Sequence, residues 1–194
     1  MNYQIAFKNY VPLNEQELAD QKLILDFINI NSNALERTNL AAHVTSSAFV
    51  VNESMTKILF AYHKIYDSWA WVGGHADGNP DLLEVAMKEA MEETGISKVT
   101  PFDENIFTID VIQVTNHMKR GKYIPDHLHL NAAFLLIADE HDSLSINHDE
   151  NSGVAWFDIH DVFNHVSEKR MINVYKKAFA KIDNIKHHVD NHEH

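Results

Sequence analysis

Glu89, Glu92 and Glu93 stand at i, i+3 and i+4 in residues 73–96, GGHADGNPDLLEVAMKEAMEETGI. On a helix turning 100° per residue these side chains share a sector of roughly 100°. Carboxylates gathered so closely repel one another unless cations sit among them. All-oxygen donors suit hard divalent ions such as Mg2+ or Mn2+. A solvated acidic face is the plainer reading of an acidic helix. The glycines fixed on either side of this one argue for metal.

The elements that must hold these acids announce themselves locally. Asp81 is a good N-cap, Glu84 sits at the capping-box position, and Pro80 fixes the entry. Gly95 suits the residue just past the C-terminus, so the signals predict a helix over 82–94. Leu83, Ala86, Met87, Ala90 and Thr94 share one side of it, expected to face the core, with the acids directed away. Ahead of the helix, Gly73-Gly74 ends a strand where backbone must turn sharply or approach another group closely.

The rest of the chain reads as one domain without repeats. Asn14 and Glu17 open a first helix over 15–30. Strands are expected over 44–51, 57–63, 68–72, 106–117, 128–138 and 154–157. Residues 118–126 read as a loop, and 139–151 as a polar loop. Helices over 159–165 and 168–185 close the chain, and the tail from His187 reads as frayed.

Other side chains could meet a ligand. His127 and His129 alternate on a strand and share a face, with Asn131 beside them. They read either as a phosphate or metal contact or as a polar strand edge. His75 follows the glycine pair and could meet substrate. Trp69 and Trp71 share a strand face, where one could stack on a base or both could pack in the core. Lys119-Arg120-Gly121-Lys122 is the most basic run, a solvated turn or a phosphate contact. His187, His188, His192 and His194 look like a weak chelating tail.

Bulk properties narrow the partners. The 194 residues carry a formal net charge of −12 and no cysteine. Such a chain repels nucleic-acid polymers and also small polyphosphates, so phosphate chemistry here needs local cations. No thiolate metal site, disulfide or cysteine nucleophile is available. No apolar run is long enough to span a bilayer, and no signal segment follows Met1. A cytoplasmic protein without a membrane partner is expected, with a homodimer as one option.

The segment resembles the Nudix box of the MutT-like Nudix hydrolases. Gly74 matches its first glycine; Glu89, Glu92, Glu93 and Gly95 match its acidic cluster and closing glycine; Ile96 matches its last apolar position. Pro80 and Lys88 depart from it, standing where the family has a Glu and an Arg that pair to brace the loop. Both have changed together, which implies an altered brace, and Lys cannot reproduce the arginine fork. His43-Val44-Thr45-Ser46-Ser47-Ala48, residues 69–77, His127-Leu128-His129-Leu130-Asn131 and Trp156-Phe157-Asp158 resemble a largely uncharacterised Nudix subgroup. The similarity covers residues 41–165, with the first forty as an N-terminal helical addition, the domain running over 41–186 and a flexible tail over 187–194.

The resemblance implies an α/β/α sandwich with a mixed sheet and a divalent-metal-dependent hydrolase of a nucleoside diphosphate derivative. It implies Gly74, Glu89, Glu92 and Glu93 as metal ligands, with Mg2+ or Mn2+ as cofactor. Glu89, Glu92 and Glu93 are then expected to carry catalysis, and His75, His127, His129 and Trp69 to contact substrate. Glu93 is the first candidate base, and Glu150, ahead of the late strand, the second. A nucleotide- or metabolite-sensing module is the alternative. The isomerase branch of the fold relies on a cysteine and fits least.

Overall fold

In chain order the elements are α1 (Tyr3–Asn9), α2 (Glu15–Ile30), β1 (Ala42–Val51), β2 (Lys57–His63), β3 (Ser68–Ala70), β4 (Val72–His75) and α3 (Leu82–Thr94). There follow β5 (Thr100–Pro101), β6 (Thr108–Val114), β7 (His117–Lys119), β8 (Lys122–Ile124), β9 (His127–Ile137), β10 (Asn151–Asp158), a 3-10 helix (Val162–His165) and α4 (Met171–Asp190). This computed structural model describes residues 2–119 and 121–190, the side chains of 189 and 190 excepted. The chain forms two compact units: Met1–Ala48 with Gly73–Glu89 and Asp103–Leu135, and Phe49–Val72 with Ala90–Phe102 and Leu136–His194.

In the first unit β6 pairs antiparallel with β9, setting Ile112 against His129 and Val114 against His127. Strand β1 neighbours β9 and also pairs with β4. Side chains alternate along each strand, so His43, Thr45 and Ser47 share one face of β1 while His127, His129 and Asn131 share one face of β9. The hydroxyls of Thr45 and Ser47 both donate to Asn131 Oδ1 at 2.9 Å. Asn131, which the sequence reading placed beside the histidines at a possible contact site, is a buried latch between the two strands. Helix α2 lies on β6: the buried Glu17 carboxylate accepts from Tyr10 Oη at 2.8 Å and from the Leu13 N–H at 2.7 Å.

In the second unit β10, β2 and β3 pair antiparallel, with Ala155 opposite Phe60 and Ala61 opposite Ala70. Strand β2 also pairs with the end of β1, Val50 opposite Leu59. Helix α4 buries Met171, Tyr175, Ala178, Phe179 and Ile182, the spacing of one apolar helical stripe. Tyr175 meets the rings of Phe49, Phe60 and Trp71, and its hydroxyl accepts the Trp71 N–H at 3.3 Å.

Several expected boundaries shift. α1 was missed because seven residues are too few to show a period; Asn2 caps it, accepting from the Gln4 N–H at 2.9 Å. The strand expected over 106–117 spans only Thr108–Val114, because Asp126 accepts both the Asn116 N–H and its side-chain amide and turns the chain aside. The loop expected over 118–126 contains the β7–β8 hairpin. Helix α4 continues through His187 and His188 to Asp190, so residues 187–190 are helical where the sequence suggested fraying. His192 and His194 lie outside the described residues.

Candidate active site

The chemistry begins where β4 gives way to α3. An added Cβ on Gly74 would lie 2.4 Å from Glu89 Cδ, so only glycine lets the strand end come this close to that carboxylate. The loop between them is fastened from the segment after α2. The Arg37 guanidinium grips both oxygens of Asp77, with Nε donating to Oδ1 at 2.7 Å. The Gly78 N–H donates to the Leu35 carbonyl at 3.2 Å. Asn79 donates its side-chain amide to Glu84 at 3.0 Å, and the Glu84 N–H donates to Asp81 Oδ1 at 3.2 Å, completing the N-cap. Arg37 thus holds this loop to the segment after α2 with a two-pronged ion pair.

Helix α3 has the predicted bounds, Leu82–Thr94, and ends where Gly95 takes φ +72°. Its buried stripe differs from expectation. Leu82, Val85, Ala86, Ala90 and Thr94 are buried, while Leu83 and Met87 are only half-buried. The acids therefore do not all face away from the core. Glu89 is half-buried, Glu92 is exposed, and Glu93 is 1% exposed. The buried stripe thus runs through Glu93, whose neighbour Thr94 is also buried and donates its hydroxyl to the Ala90 carbonyl at 2.6 Å. Glu89 and Glu93 remain one turn apart on the same side of the helix.

In the second unit Glu93 and Glu150 each offer a carboxylate oxygen within 4.8 Å of the other. Asn151 holds the end of the helix by donating to the Glu93 carbonyl at 2.8 Å, which brings the start of β10, and Glu150 just before it, to this place. His63 Nε2 stands 3.9 Å from Glu93 Oε2, beyond hydrogen-bond reach. Trp69, expected as a substrate contact, packs edge-on against Phe157 and Tyr62 in this unit, with ring centroids at 4.8 and 5.4 Å.

The first unit gathers the expected histidines and adds one. His43 ring centroids lie 5.1 Å from His75, 4.9 Å from His127 and 5.1 Å from His129. Burial lowers the pKa of His75 to about 3, helped by Arg37 and the neighbouring imidazoles, and that of His129 to about 2, helped by the neighbouring imidazoles and Lys119. Burial also lowers His43. At neutral pH these three rings are uncharged, so by themselves they are poor partners for phosphate. Sequence reasoning quoted His43 without giving it a role; no local signal shows that β1 lies beside β9. Lys119 and Lys122 flank the tip of the β7–β8 hairpin, while Arg120 lies outside the described residues.

The family model of the NUDIX domain matches residues 41–181. Comparison with curated proteins returned no match. Among solved structures the chain is similar to a hydrolase of the NUDIX family from Clostridium perfringens, at 20% identity and TM-score 0.52, covering 72% of this chain and 97% of that one. It is also similar to a C. elegans Ap4A hydrolase, at 17% identity and TM-score 0.51, covering 73% and 98%. A third is the E. coli dihydroneopterin triphosphate pyrophosphohydrolase, at 13% identity and TM-score 0.51, covering 69% and 92%. These likenesses show the fold: mixed α/β, with helices packed on a mixed sheet. Among the described residues no helix is long and apolar enough to cross a membrane.

Proposed function

This chain belongs to the Nudix family and is a pyrophosphohydrolase, and on that premise we propose that it cleaves the diphosphate bond of a nucleoside diphosphate derivative with a divalent cation held by its glutamates. The observation that carries this reading is the approach of the Glu93 and Glu150 oxygens within 4.8 Å, with Glu93 at 1% exposure. Two carboxylates so placed, Glu93 buried and Glu150 exposed, repel one another, and a hard cation between them would offset that repulsion. The donor set is all oxygen, which fits Mg2+ or Mn2+.

Glu89 and Glu93 would hold the cation, with the Gly74 carbonyl beside Glu89. Glu92, being exposed, would join through water. When bound, such an ion neutralises the diphosphate, polarises a P–O bond and acidifies water. Glu93 is the first candidate to accept the proton of the attacking water, and Glu150 the second. His75, His127 and His129 would line the substrate side of the first unit. Trp69 would contact a base only by giving up its packing on Phe157. Two of the similar structures are described as an Ap4A hydrolase and a dihydroneopterin triphosphate pyrophosphohydrolase; the first name supports a nucleoside-containing substrate, and both support a polyphosphate.

The test is a panel of nucleoside diphosphate derivatives incubated with Mg2+ or Mn2+, with released phosphoryl products assayed. Glu93→Gln is expected to lower turnover by about two to four orders of magnitude. Unchanged turnover in that variant removes the assignment. Tight nucleotide binding with no turnover in the parent chain would favour a sensor.

A further inference from the structure

We propose that His43, His75 and His129 form a second metal site, built for a borderline divalent ion of the zinc type. One ring nitrogen of each lies within 4.8 Å of those of the other two. Tetrahedral Zn2+, with Zn–N of about 2.0–2.1 Å, sets ligand nitrogens roughly 3.4 Å apart, so the rings need draw together by at most about 1.4 Å. Imidazoles without oxygen donors suit Zn2+ far better than Mg2+. The inference goes beyond the hydrolase reading and does not depend on it.

The hydrogen bonds around the rings fix their tautomers for this task. His43 Nδ1 lies 3.0 Å from the Asn39 carbonyl, which can only accept, so Nδ1 carries the proton and Nε2 carries a lone pair. That Nε2 is buried without a hydrogen-bond partner, in a side chain 4% exposed. A buried acceptor left without a partner is destabilising, and a metal ion would satisfy it. His127 Nδ1–H donates to the Pro125 carbonyl at 2.9 Å, leaving its Nε2 as an acceptor. His129 Nε2, 3.2 Å away, must then be the donor, which frees His129 Nδ1 for a metal. His127 is thus a positioning residue: it orients His129 as backbone carbonyls orient ligating histidines elsewhere. His75 and His129 are only half-buried, so a fourth position is open to water or an anionic oxygen.

The test uses the full chain, stripped with chelator and titrated with Zn2+ or Co2+, with His187, His188, His192 and His194 each replaced by Ala to silence the tail. We expect a single equivalent of Zn2+ to remain after gel filtration, and Co2+ to give the intense visible bands of a four-coordinate site. His75→Ala and His129→Ala should each abolish both signals. His127→Ala should weaken Zn2+ by about 10- to 100-fold while keeping the Co2+ bands. Glu93→Gln should leave Zn2+ binding unchanged, which separates this site from the failure or success of the hydrolase reading. X-ray absorption of the Zn2+-loaded tail variant should read nitrogen ligands at about 2.0–2.1 Å. No retained Zn2+ in the tail variant, an all-oxygen shell, or undiminished binding in folded His75→Ala would overturn the proposal.

Discussion

Gly74 and Glu89 illustrate how narrow the tolerances are at the scale of single residues. A methyl group at position 74 would come within 2.4 Å of Glu89 Cδ, well inside van der Waals contact. Gly74→Ala must therefore push the carboxylate aside or move the strand end. Overpacking of this kind costs about 1–3 kcal/mol, and displacement of a catalytic group by an ångström costs about 100-fold in rate. We expect turnover to fall by about that factor, with a higher Mg2+ concentration needed for half-activation. Metal-activation curves at matched folded fraction check it, and an unchanged curve would detach Glu89 from the cation. The types and spacing of Glu89, Glu92 and Glu93 were legible in the sequence, because helical geometry is local. Their unequal burial was not, because it is set by segments distant in the chain; Asn151, which donates to the Glu93 carbonyl, lies 58 positions away.

At the scale of elements, α3 was read to its exact bounds because both signals, Asp81 and Gly95, act within a few residues. The strands that carry the histidines were also legible, but their order was not, so His43 acquired a role only when β1 was seen beside β9. The loop into α3 supports a prediction of its own. Arg37 and Asp77 are both exposed, at 49% and 45%, so their pair adds at most about 1 kcal/mol to stability. Its value lies in fixing the loop between Gly74 and the helix. Arg37→Lys, which loses the two-pronged grip, should leave the melting temperature within a few degrees yet lower turnover severalfold. A large loss of stability with normal turnover would contradict that assignment.

The packed imidazoles predict a pH dependence for the metal-free protein. An unfolded histidine takes up its proton near pH 6.5, whereas folded His75 does so only near 3 and His129 near 2. Between these values the unfolded state binds more protons, so stability rises with pH there and falls on acidification. The melting temperature should drop as pH is lowered from 6.5 toward 3, and less steeply in His75→Ala. Calorimetry at a series of pH values decides this. Equal slopes for the two proteins would show that His75 is protonated alike in both states.

For the molecule as a whole, the family match begins at residue 41, yet the preceding residues are woven into the first unit. Phe7, Ile24 and Ile28 are 0%, 0% and 3% exposed, and burying each is worth about 1.5–3 kcal/mol. Together they approach the whole stability of an ordinary domain, about 5–15 kcal/mol. Asp20 accepts the Val111 N–H at 2.9 Å and Tyr10 donates to the Phe107 carbonyl at 3.3 Å, so β6 and the residue before it draw hydrogen bonds from this segment. Leu35 and Arg37 fasten the loop ahead of α3. Periodicity could show a helix over 15–30 but not what it covers, since Leu18, Leu23 and Ile30 of the same helix are exposed. Deleting residues 1–40 should therefore abolish cooperative unfolding, not merely trim an appendage. Thermal denaturation of residues 41–194 followed by circular dichroism is the check. A fragment melting cooperatively within a few degrees of the full chain would mean that the family segment holds itself together, and that these helices are ornament.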